Sequence, residues 1–94
     1  MKISTKYKEL ADVLFMALDQ AQNGKGKERH SDGEAFSDQI ICRLTRSEGS
    51  GYPRGQAIKK IDEAKRLPKD RAIDELLGAI NYLAADIIVM MEGK

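Results

Sequence analysis

Ninety-four residues, 41% of them apolar and carrying a formal charge of +1, describe one domain, 1–94, of 10.5 kDa; a second core would need about another hundred residues. One cysteine, Cys42, and one histidine, His30, exclude an intramolecular disulfide framework and a zinc site of Cys/His type. A chain this short hides only about 60–65% of the surface it exposes when unfolded, so a monomer core is marginal and self-association is expected.

The chain opens Met1-Lys2-Ile3-Ser4 and runs directly into a charged helical pattern, without an apolar leader. Over 4–22 the apolar residues Tyr7, Leu10, Ala11, Leu14, Leu18 and Ala21 follow a three-four spacing that predicts a first helix, with Ser4 or Thr5 as its cap and Asn23-Gly24 as its stop. Val13 and Phe15 lie off that stripe and widen the apolar surface beyond what one neighbouring helix covers. Residues 23–34, NGKGKERHSDGE, hold three glycines, three cations and no aliphatic side chain, and are expected to form a loop. A second helix is expected over 35–46, with Phe36, Ile40, Ile41 and Leu44 inward. Residues 47–55, SEGSGYPRG, are expected to form a second loop, because Pro53 biases Tyr52 away from helical geometry.

A third helix is predicted over 56–66 and a long fourth one over 69–92, started by Pro68 and stopped by Gly93. The fourth carries two apolar rows. Ile73, Leu76, Leu77, Ile80, Leu83, Ala84, Ile87, Ile88 and Met91 form the main stripe, expected to face the core. Gly78, Tyr82, Ala85 and Val89 form a second row, whose small residues suit the close approach of another subunit. Asn81, amid these, is expected either to fix register as a buried amide or to sit at a solvated rim. The run 79–91 contains Asn81 and Asp86 and is too short to span a bilayer, so no membrane partner is expected and the location is cytoplasmic. The fold class is all-α: three to four helices with a long C-terminal helix, assembling as a helical homo-oligomer.

The near-neutral charge hides an asymmetry. Residues 43–60 carry five cations against the single acid Glu48, whereas 70–92 carry five acids against the single cation Arg71. Alternating glycines in the first loop free backbone N–H groups to turn towards an anion, and cations surround them. The candidate ligand site is therefore Gly24, Lys25, Gly26, Lys27, Arg29 and His30 from the first loop, with Tyr52, Arg54, Gly55 and Lys59 from the second loop and the helix after it. Arginine offers a planar fork for phosphate, and Tyr52 or Tyr7 offers a face for a base. The spacing is not that of a Walker A loop, and no strand precedes it as a dinucleotide fingerprint requires. His30, Ser31 and Cys42 are not arranged as a triad, so no catalytic residue and no metal ligand is assigned. No cofactor is expected. Nucleic acid is disfavoured as a partner by the balanced charge and the lack of a recognisable module.

Two resemblances add to this. The acidic pairs Asp62-Glu63 and Asp74-Glu75 resemble the metal-binding acids of the MazG-like all-α nucleoside triphosphate pyrophosphohydrolases, which carry EExxE on one helix and ExxD on the next. The likeness covers about residues 57–90. Arg66 and Gly78 stand where each motif would have its further acid, so the resemblance implies helical packing more than activity. The segments GKGKERH, GQAIKK and ELLGAINYLAADII are similar to small phage and prophage proteins over 24–91. That group includes anti-defence sponges, helical oligomers that sequester nucleotide signals without cleaving them, and anti-CRISPR proteins, which block a protein partner. The resemblance implies non-catalytic sequestration of a phosphate-bearing ligand such as a cyclic nucleotide, in the host cytoplasm if the chain is phage-encoded. A protein-binding inhibitor is the alternative, and a divergent pyrophosphohydrolase the second alternative.

Overall fold

The computed structural model describes residues 1–24, 27 and 33–93, and all regular structure among them is helical. A 3-10 turn, Thr5–Tyr7, leads into α1, Lys8–Asn23. A second 3-10 turn, Phe36–Asp38, precedes α2, Ile40–Glu48. Then come α3, Gly51–Ala64, and α4, Lys69–Glu92. No helix among the described residues is long and apolar enough to cross a membrane.

Of the expected end signals, Gly24 holds: its N–H closes α1 on the Gln20 carbonyl at 3.0 Å. Ser4 caps the 3-10 turn instead, its hydroxyl accepting from the Lys6 N–H at 3.2 Å, while α1 itself starts after Tyr7 without a side-chain cap. The middle of the chain differs from expectation. The segment 35–46 is not one helix: Gln39 is extended, with ψ of 162°, and separates the 3-10 turn from α2. The loop expected over 47–55 shrinks to Gly49 and Ser50, and α3 starts five residues earlier than the predicted 56. Pro53 occupies the third position of α3, where a backbone N–H has no intrahelical partner to lose, so its ring is tolerated and Tyr52 is helical. Gly49 makes the short link possible. Its φ of +86° costs a residue without Cβ little, and its N–H ends α2 on the Thr45 carbonyl at 2.9 Å.

α4 is the spine, and each other helix packs on it, α3 most extensively. The core comprises Ile41, Cys42, Ala57, Ala79, Tyr82 and Ala85, with Phe36, Tyr52 and Val89 around it. It is built largely of small residues, which lets α3 lie close to α4. A Cβ on Gly78 would come within 3.1 Å of the Lys60 side chain. The second row of α4 is therefore used inside the chain: Gly78, Tyr82 and Ala85 are buried there, whereas of the main stripe Leu77 is buried and Ile73, Leu76, Leu83, Ile87 and Met91 are exposed. On α1, likewise, Tyr7, Leu10, Leu14 and Leu18 are exposed, and Ala17 is its one buried residue.

Amide side chains hold α1 against α4. Asn81 donates to the Ala17 carbonyl at 2.9 Å and Gln20 donates to the Asp74 carbonyl at 2.9 Å. Asn81 thus fixes the register of two helices of one chain. At the far end of α4, Arg46 forks onto both Glu92 oxygens, at 2.8 and 2.6 Å, and also donates to the Ser37 carbonyl.

Candidate functional site

A groove of about 660 Å³ runs beside α1. Leu14, Ala17 and Leu18 form one wall, Ile80, Ala84 and Ile88 of α4 the other, and Phe36 and Gln39 close one end. Lys27, Gly33 and Glu34 also stand on its lining. Its size lies within the range of about 300–1,000 Å³ usual for small-molecule sites. The walls are aliphatic, and the amides of Gln22, Gln39 and Asn81 supply polar points. Two of those amides are already engaged: Asn81 as above, and Gln39 as donor to the Glu34 carbonyl at 3.3 Å. The groove thus offers an apolar bed with a cation at its rim.

The candidate residues from the sequence are not gathered in one place. Lys25, Gly26, Arg29 and His30 lie outside the described residues. Lys27 is exposed, its N–H bonded to the Gly24 carbonyl at 3.1 Å, and it meets the groove; Gly24 itself lines a cleft on the other side of α1. Tyr7 ends the first 3-10 turn and is exposed. Tyr52, Arg54, Gly55 and Lys59 belong to α3, not to a loop. Gly55 has no neighbour within 4 Å of where a Cβ would stand, so neither tight approach nor a turn demands a glycine there. Lys59 is exposed on the same helix. None of these four lines the groove.

Tyr52 and Arg54 have work within the fold. The Tyr52 ring meets Tyr82 edge to face, with centroids 5.9 Å apart and planes at 78°. The Arg54 Nε donates to Asp86 at 2.7 Å, and the Ser50 hydroxyl donates to the other oxygen of the same carboxylate at 2.7 Å. Asp86 is buried, so this cluster ties the start of α3 to the last third of α4. The sequence shows Asp86 only as a charge inside an apolar run; its partners are 32 and 36 residues away, and nothing local marks the pairing.

The hydrogen bonds from Ser50 and Arg54 hold the Asp86 carboxyl below its ordinary range, and Arg46 does the same for Glu92. A carboxyl lowered on folding contributes stability above its unfolded value, about 3.9 for Asp, and that contribution is lost as pH falls through the folded value. The urea midpoint should therefore stay flat from neutral pH to about 5 and drop below about 4. Asp86→Asn should lower the midpoint at pH 7 and shrink the acid-side drop. An unchanged acid limb in that variant would show that Asp86 gains nothing from its partners. Burial pushes the Cys42 thiol up, against the opposing pull of Arg46, so it stays a protonated core side chain.

The acids of the MazG-like resemblance do not converge. Asp62 pairs with Arg66 at 3.1 Å and Lys65 at 4.0 Å in the turn that follows its helix, and Glu75 pairs with Lys60 at 3.6 Å. Among the described residues, no group of three or more His, Cys, Asp or Glu side chains is placed to hold a metal ion. No protein-family model matches the chain, and no curated protein or solved structure matches it either.

Proposed function

We propose that this is a non-catalytic binding protein that works as a homo-oligomer and holds a phosphate-bearing small ligand, such as a signalling nucleotide, at the groove beside α1. The observation that carries the proposal is the position of Lys27 on the rim of an apolar groove of about 660 Å³. An apolar bed takes the base or another flat body, and a cation at the rim takes the charge. Lys25 and Arg29 lie two residues either side of Lys27 in sequence. On this reading the protein acts in the cytoplasm, that of the host if phage-encoded, as a sponge that lowers the free concentration of its ligand.

Calorimetry with a panel of mono-, di- and cyclic nucleotides tests this. One charge-assisted contact is worth roughly 1.5–3 kcal/mol, so Lys27→Ala should weaken the best ligand about ten- to a hundred-fold, and added salt should weaken it further. Lys59→Ala, on α3, should not. Absence of heat with every member of the panel, together with no small molecule released on denaturation, ends the proposal. A second reading, an inhibitor or adaptor that binds another protein, is favoured by the exposed apolar residues of α1.

A further inference from the structure

Six residues of α4 repeat at alternating steps of three and four: Ile73, Leu76, Ile80, Leu83, Ile87 and Met90. This is the spacing by which one helix meets another along a coiled seam. No charged residue interrupts it. Within the chain the seam is left uncovered: Leu83 is 45% and Ile87 55% exposed, and only Ile80 is half-buried. The chain as a whole, with α1 as well as α4 contributing, carries surface to spare. It exposes 6902 Å², whereas a folded monomer of 10.5 kDa exposes about 5,400 Å². The difference exceeds the roughly 800 Å² that each partner buries in a standard interface.

We infer that the seam of α4 pairs with the same seam of a second copy, in parallel, across a two-fold axis. Three features select this occupant. The period calls for a helix. The uncharged seam is self-complementary, as an isologous contact requires. Ile at 73, 80 and 87 with Leu at 76 and 83 is the β-branched and unbranched alternation that, in helices running parallel, favours two strands over three or four. Ile80 lies both in the seam and on the groove lining, so the second copy closes the open side of the groove. The inference rests on the self-association proposed above and adds the face and the direction.

Two measurements test it on the full chain. Light scattering at micromolar concentration should give twice the 10.5 kDa chain mass for the wild type and the single-chain mass for Leu83→Glu. Under mild oxidation Leu83→Cys should form a covalent dimer, because parallel pairing sets the two copies of position 83 opposite each other. Phe15→Cys, on the cleft at the other side of α1, should not, and buried Cys42 stays out of the reaction. A monomeric wild type overturns the seam and the self-association together. A wild-type dimer that survives Leu83→Glu, with no cross-link at position 83, overturns the seam alone. Dissociation by Leu83→Glu without a cross-link overturns the parallel direction. Should Leu83→Glu fail to fold, the cross-link decides.

Discussion

Arginine at position 85 should leave the chain without a stable fold. Ala85 is 0% exposed and sits in the cluster with Ile41, Cys42 and Ala57, where α3 and α2 close on α4. A guanidinium there would be buried without a partner, a cost of several kcal/mol after relaxation. Forcing its long stem between helices spaced for alanine adds about 1–3 kcal/mol of overpacking. A small domain has only about 5–15 kcal/mol of stability, so the two together consume most or all of it. Far-UV circular dichroism at 25 °C should show most of the helical signal gone and no cooperative thermal transition. The sequence pattern alone points elsewhere: with Ala85 in a subunit contact, Ala85→Arg would give a folded monomer. A well-folded monomeric variant would restore that assignment and contradict the packing described above.

That contrast shows where the amino-acid pattern stops being informative. α1 and α4 were legible to within a few residues, because each has a strong apolar period and a glycine or proline at its end. The choice between the two rows of α4 was not. Both rows are apolar, so hydrophobic period cannot rank them. What decides is distance: Gly78 and Ala85 go where α3 and α2 approach closely, and Ile73, Leu76, Leu83 and Ile87 are left outside. The start of α3 was missed for a local reason. Pro53 restricts the residue before it, yet the first turn of a helix is the one place where its missing N–H costs nothing. The reading of Tyr52 and Arg54 as ligand contacts followed from that missed start. Once they are placed on α3, their neighbours are Tyr82 and Asp86. Lys27 at the groove was legible as part of a basic loop, but the groove itself depends on how α1 crosses α4, and that register is set by the pairing of Asn81 with the Ala17 carbonyl 64 residues away.

Tyr82→Ala should be the most damaging truncation of an aromatic side chain in the protein. Tyr82 is buried in the core cluster, its ring takes the edge contact of Tyr52, and the Lys60 ammonium lies 5.9 Å from its centroid. Removing so large a buried ring typically costs about 3–5 kcal/mol, part transfer energy and part unfilled cavity. For a domain of this length that corresponds to a fall in Tm of about 12 °C or more. Tyr52→Ala should cost less, since Tyr52 is half-buried at the edge of the same cluster. The double variant should cost less than the sum of the singles by about 0.5–1.5 kcal/mol, the coupling expected of an edge-to-face pair. The same set of variants separates a structural from a ligand-binding role for Tyr52. If its ring serves the core, nucleotide affinity per folded molecule is unchanged in Tyr52→Ala while thermal stability falls. Additive stability losses, or an affinity loss at undiminished stability, would instead return Tyr52 to the surface role that its place beside Pro53 and Arg54 suggests.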